Sequence, residues 1–224
     1  MAVDYTKRPA SGGDQGGQGG QPVSLSKVTL TKAEPRVSLS KQAAGGGQLR
    51  VNLNWNARAG RGGLFSRNTA IDLDLGCLYE FADGSRGAVQ ALGGSFTDHA
   101  SPAGRPVLRL DGDDRSGKNS AGENLFVDLG QVERIKRVIV FAFIYEGVPN
   151  WAAADAVVTL FPAAGAQVEV RLDDPDPRAS MCGIALLTNQ GGQLQVERSV
   201  RYVNGHRALD EAFGWGLSWT AGSK

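Results

Sequence analysis

Carboxylates are the side chains in this sequence best placed to do chemistry, and they gather in two stretches. Asp72 and Asp74 stand two apart in IDLDLG, while Asp111, Asp113 and Asp114 open the segment DGDDRSGKNSAGE, which ends at Glu123. Side chains two apart on a strand share a face, so Asp72 and Asp74 are expected side by side. Two unit charges about 5 Å apart repel by roughly 3 kcal/mol at an effective dielectric near 20, and a divalent cation removes that opposition. Calcium takes about six to eight oxygen ligands, from carboxylates and carbonyls, in tolerant geometry. A Gly-rich acidic loop supplies such donors better than it supplies the strict octahedron of magnesium.

The loop at Asp111 starts like a helix-loop-helix calcium loop, with oxygen donors at its first and third positions. Its fifth position, however, is Arg115, and its glycine comes one place late, so it is not an EF-hand. Aspartates of this kind also serve as solvated turn residues that bond their own backbone amides. His99 follows Asp98 and His206 follows Gly205; neither has partners at a catalytic spacing, and both are expected on the surface. A metal-dependent hydrolase would need Asp72, Asp74 and His99 around an open coordination position. Trp55, Trp151, Trp215 and Trp219 suit either a core or a sugar-stacking platform, so a calcium-dependent carbohydrate-binding sandwich stands as the alternative to a purely structural use. No nucleophile elbow, phosphate loop or dinucleotide fingerprint is present, because the glycines stand between strands and not before helices. The protein is accordingly expected not to be an enzyme.

The elements that must hold these residues are strands. With 31 glycines and 41% hydrophobic residues, the chain has both frequent turns and enough apolar surface for a core. Runs such as LRVNLNWN, AIDLDLGCLYEF, ENLFVDLG, DAVVTLFP, AQVEVRLD, CGIALLTN and LQVERSVRYV alternate with clusters such as ADGSRG, PAAG and NQGG, which carry the residues that turns demand. The run IKRVIVFAFIYEG is the most apolar and reads as a central strand covered on both faces. VSLSK occurs at Val23 to Lys27 and again at Val37 to Lys41, each copy alternating like a half-buried strand. Only ALDEAFGW has helical character. The expected class is all-β, a two-sheet sandwich with a short C-terminal helical segment. Residues 1–22, rich in Gly, Gln and Ser, read as a disordered tail, and 23–224 as one domain.

Charge narrows the partners. Lys and Arg number 24 against 23 Asp and Glu, which leaves no global field to hold a polyphosphate backbone, so nucleic acid is not expected. No run approaches the roughly 18 apolar residues of a membrane span, and the first residues lack the apolar core of a secretory signal; a cytoplasmic protein is expected. Cys77 and Cys182 lie inside apolar runs and read as two buried thiols in a reducing compartment.

Taken together and in order, VSLSK, VNLNWNAR, IDLDLGCLYEF, LDGDDRSG and VFAFIYEG resemble the bacterial tellurium-resistance TerD/TerA family, most closely its TerA-like branch, over about residues 23 to 220. The resemblance implies a β-sandwich with calcium at one edge. The family's FDLDAS strand and GDNRTG loop fall on Asp72, Asp74, Asp113 and Asp114, and Glu146 in IYEG matches a strand-ending acid. Asn119 and Glu123 are what remains of the acidic run that follows the loop, and Asn56 replaces the aspartate of the family's tryptophan turn. Fewer carboxylates imply weaker calcium binding, or one ion where relatives hold two. The resemblance further implies a stress-response role in resistance to tellurite and other oxidants, exercised with other tellurium-resistance and stress proteins in membrane-associated complexes.

Overall fold

The computed structural model describes residues 27–39, 47–56, 71–112, 122–147, 151–172 and 178–220. Its strands are β1 (Lys27–Thr29), β2 (Arg36–Ser38), β3 (Gln48–Asn54), β4 (Asp72–Phe81), β5 (Arg86–Gln90), β6 (Leu108–Leu110), β7 (Glu123–Asp128), β8 (Ile135–Glu146), β9 (Ala156–Phe161), β10 (Gln167–Leu172), β11 (Met181–Asn189) and β12 (Leu194–Val203). A 3-10 turn, Leu129–Arg134, joins β7 to β8, and two helices follow, α1 (Trp151–Ala154) and α2 (His206–Phe213). The strands build two sheets, β1-β10-β9-β3-β7-β6 and β2-β12-β11-β8-β4-β5, which pack face to face as an all-β sandwich. The expected class and the C-terminal helix are therefore present, the helix starting two residues before ALDEAFGW.

The two sheets are built differently, and the sequence says why. In the first, β9 reads AVVTLF with strict alternation: Ala156, Val158 and Leu160 are buried and Val157, Thr159 and Phe161 are half-buried, so one face meets the core and the other is partly open. In the second, β4 and β8 are apolar on both faces. Leu73, Leu75, Cys77 and Tyr79 join the inter-sheet core, while Leu78, Ile139, Phe141 and Phe143 join a second cluster with Met181, Leu209 and Trp215. α2 and the segment after it cover that outer face, which is why IKRVIVFAFIYEG has no polar side over most of its length.

Glycines let this cover lie flat. A Cβ on Gly76 would stand 2.6 Å from the Phe141 ring, and one on Gly183 would stand 2.5 Å from the Phe213 ring. Gly76 and Gly183 each pair with Phe141 across the ladder; the Phe141 ring takes the space a side chain at Gly76 would fill, and the Phe213 ring of α2 takes that at Gly183. Asp210 closes the cover: its carboxylate accepts from the amides of Gly216 and Leu217 and from Trp219 Nε1 at 2.7, 2.8 and 3.0 Å.

The structure adds one strand that the sequence reading lacks, β6, whose three residues are too few to show alternation. The first VSLSK copy lies outside the described residues except for Lys27, where β1 begins; the second overlaps β2. The tail 1–22 also lies outside them. Cys77 and Cys182 are buried free thiols, and burial pushes the Cys77 thiol well above its ordinary range.

Candidate metal centre

The acidic end of β4 is shaped by a β-bulge on its neighbour. β4 and β8 pair Leu73 with Ile144 but Asp72 with Glu146, so Tyr145 is the extra residue. Without it Asp72 would face Tyr145; with it, two carboxylate residues stand opposite each other. A bulge re-aims side chains in this way, and like charges directly opposite are unfavourable on their own. Asp74, two residues on, lies opposite Phe143 and is wholly buried, whereas Asp72 is half-buried and Glu146 exposed. The pair expected side by side on β4 thus sits at two different depths.

The second acidic stretch reaches the same end of the sandwich from the other sheet. Gly122 has φ of 68°, and a Cβ there would meet the Leu53 carbonyl oxygen at 2.0 Å, so only glycine admits the chain into β7 at this point. Glu123 follows on the inner side of the first sheet, 2% exposed. Its carboxylate accepts the Leu75 backbone amide at 2.6 Å, bridging the sheets one residue along β4 from Asp74. Asp111 stands opposite Asn124, where its carboxylate accepts the Asn124 amide at 3.1 Å and its Nδ2 at 2.7 Å. Asn124 Oδ1 in turn accepts from Asn52 Nδ2 and from Arg50, which ties the flank of the loop to β3.

The structure therefore brings Asp72, Asp74, Glu123 and Glu146 to one end of the sandwich and holds Asp111 one ladder position away, on the outer side of the first sheet. Asp113, Asp114 and Asn119 lie outside the described residues. Among the described residues no three of these carboxylates form a group able to hold a metal ion by themselves. The donors are oxygens throughout, two of them from almost fully buried carboxylates, a set that suits a hard cation such as calcium rather than zinc.

A different carboxylate, Glu80 at the far end of β4, escaped the sequence reading. It is 1% exposed and accepts from Lys136, Arg137 and Arg86 at 2.8, 2.6 and 3.0 Å. The Lys136 ammonium and the two guanidiniums hold its carboxyl down to about 2 against the desolvation that opposes them. Arg137 also lies 3.8 Å over the Trp215 ring and donates to the carbonyls of Phe213 and Gly214. The pair is thus a clasp between β4, β8 and the C-terminal cover. Arg86, six residues on in the next strand of a hairpin, was the available signal.

His99 is exposed, as expected; its amide donates to Tyr79 Oη at 3.2 Å. Tyr79 is seven residues from Asp72, roughly 23 Å along a strand, so Asp72, Asp74 and His99 are not brought together. His206 corrects the expectation of a surface histidine. Its half-buried ring packs 5.7, 5.3 and 5.0 Å from those of Phe141, Phe143 and Trp219, and burial lowers its pKa to about 4. None of the tryptophans is exposed: Trp151 and Trp215 are fully buried, and the indole N–H groups of Trp55 and Trp151 donate to the carbonyls of Ile71 and Ala179. They serve the core and the C-terminal cover.

Two six-stranded sheets packed face to face, with a bulged acidic strand end and a glutamate bridging the sheets beside it, define an all-β sandwich with an acidic edge. The solved structures agree on the fold. The chain matches a homologue of telluride resistance protein (TerD) from Streptomyces coelicolor A3(2) with a TM-score of 0.51 and 20% identity, over 78% of this chain and all of that one. A crystal structure of a protein of unknown function matches with the same TM-score and coverage of this chain, at 14% identity and over 99% of its own length. No protein-family model matches. In sequence the chain is 45% identical over 206 residues to tellurium resistance protein TerA of Alcaligenes sp.. That alignment takes in 90% of this chain and 60% of the relative's length. The chain is thus similar in sequence to a tellurium resistance protein TerA over part of that protein's length, and in fold to a TerD homologue.

Proposed function

We propose that the protein is a non-catalytic, calcium-binding stress-response protein that supports resistance to tellurite and other oxidants by assembling with related proteins, in the cytoplasm and at membrane-associated complexes. The observation that carries the calcium reading is the bulge that sets Glu146 opposite Asp72, with the buried Asp74 two residues along. A sheet that spends an extra residue to oppose two carboxylates is intelligible when a cation joins them. Asp72, Asp74 and Glu146 are the described residues that would hold calcium, with Glu123 fixing the β4 backbone beside them. The ion would supply charge neutralisation and a cross-link between strand ends. The resistance role rests on the similarity to that TerA protein, and the partners on the same ground. Among the described residues no helix is long and apolar enough to cross a membrane.

Thermal unfolding with calcium and with chelator tests the reading. An ion at 100 times its Kd stabilises the native state by about 2.7 kcal/mol, a rise of roughly 5–10 °C in Tm for a domain of this size. Asp74→Asn is expected to abolish the rise and His99→Ala to leave it intact. Equal responses in both variants, or no response in the parent chain, would remove calcium from this edge.

A further inference from the structure

We propose that the outer face of the first sheet is a docking surface for an acidic, proline-rich segment of another polypeptide. The second sheet's outer face is covered by α2 and the residues after it, but across the first sheet four residues form a straight row on neighbouring strands: Arg109, Phe126, Arg50 and Phe161. Their side chains share the outer face by alternation. The Arg109 guanidinium lies 4.5 Å over the Phe126 ring and that of Arg50 lies 4.0 Å over Phe161, so both cations are held flat on aromatic rings.

The described acids on this face are already engaged. Asp128 caps the 3-10 turn, accepting from Gly130 N at 2.9 Å and Gln131 Nε2 at 2.8 Å. Glu169 accepts from Lys27 and Arg171, and Asp111 is bonded by Asn124. Among the described residues no carboxylate pairs with Arg50 or Arg109. Two oriented guanidiniums without counter-charges ask for carboxylates from outside.

Their spacing selects the form of the partner. Arg109 and Arg50 are two strands apart, roughly 10 Å. A polyproline II segment repeats every third residue at about 9 Å, so acids in that period meet both arginines while the intervening prolines lie on Phe126. A polynucleotide fits less well. It needs a continuous cationic track, and here Asp111, Asp128 and Glu169 flank the row. The surface is independent of the calcium edge, and its test runs in chelator.

Fluorescence anisotropy with a labelled (Glu-Pro-Pro) repeat peptide, its (Gln-Pro-Pro) counterpart and an oligo(U) RNA distinguishes the outcomes. The glutamate peptide is expected to bind and to weaken as salt is raised. Arg109→Glu should weaken it about tenfold with Tm unchanged, and Arg50→Lys, which keeps the charge but loses the flat stacking, should weaken it severalfold. Failure of the glutamate peptide to bind, equal binding of the glutamine peptide, full affinity in Arg109→Glu, or tighter binding of the RNA would each overturn the proposal.

Discussion

The two ends of β4 carry acids on the same face of one strand and treat them in opposite ways. At one end Glu80 is paired across the ladder with Arg137 on β8 and Arg86 on β5. At the other, Asp72 is paired with Glu146, and Asp74 with Phe143. The strand that joins them is buried along its whole length between. A buried carboxylate is stabilised by opposite charge, and at Glu80 three cationic side chains supply it as ion pairs. At Asp72 the ladder provides a second carboxylate. The difference separates a structural acid from a candidate ligand better than burial does, since Asp74 and Glu80 are buried to almost the same degree.

The largest effect should come from the Glu80 end. Glu80→Gln leaves Lys136, Arg137 and Arg86 without their common acceptor and loosens the hold on Phe213 and Gly214. Loss of a buried pair costs about 3–5 kcal/mol, but the three cations are partly in water, so about 2–3 kcal/mol is expected at neutral pH by denaturant unfolding. The sign with pH follows from a folded-state pKa below the unfolded one. Stability from Glu80 is complete above pH 4.5 and is lost as pH falls through about 2. Parent and variant should therefore converge over that window, and a constant gap would show that the loss is one of packing rather than charge.

A smaller effect is expected at His206, which roofs the Phe143 ring opposite Asp74. Its Nε2 has no hydrogen-bond partner among the described residues, and its folded pKa of about 4 lies below the ordinary 6.5. The unfolded chain takes up a proton between pH 6.5 and 4 that the folded chain refuses, so stability is complete above 6.5 and declines toward 4. His206→Phe, which keeps a ring among Phe141, Phe143 and Trp219, is expected to flatten the dependence of Tm on pH in that interval. An unchanged slope would place the titration elsewhere, and a folded-state NMR titration of the parent chain would locate it.

How much of this was legible in the sequence differs by element. Strands announced themselves wherever apolar residues alternated or ran together, and the doubly buried β8 followed from its β-branched and aromatic content alone. β6 was lost because Leu108–Leu110 offers one alternation after a Pro and Gly stretch. The acids Asp72, Asp74 and Glu123 were legible as types and spacings. Their depths were not, because the Tyr145 bulge that sets Glu146 against Asp72 is a matter of register between strands some 70 residues apart. The misplaced His206 has the same cause: its immediate neighbours in sequence are not apolar enough to bury it, and its cage comes from Phe141 and Phe143 more than 60 residues earlier and from Trp219 thirteen residues later. Glu80 passed unremarked because Lys136 and Arg137 lie 56 and 57 residues away.

The smallest effect is the most discriminating, because its sign reverses. If Asp72 and Glu146 oppose each other until a cation joins them, Glu146→Gln should raise stability in chelator by about 0.5 kcal/mol, the scale of a like-charge cross-strand pair at an exposed position. In saturating calcium the same variant should be less stable than the parent, since it has given up a ligand charge. A pair of Tm curves, with and without calcium, should therefore cross between parent and variant. Glu80→Gln offers the internal control, because its cost should be the same in both conditions. Curves that shift in parallel for both variants would mean that the two ends of β4 are governed alike, and that the acid opposite Asp72 is a surface residue of the bulge.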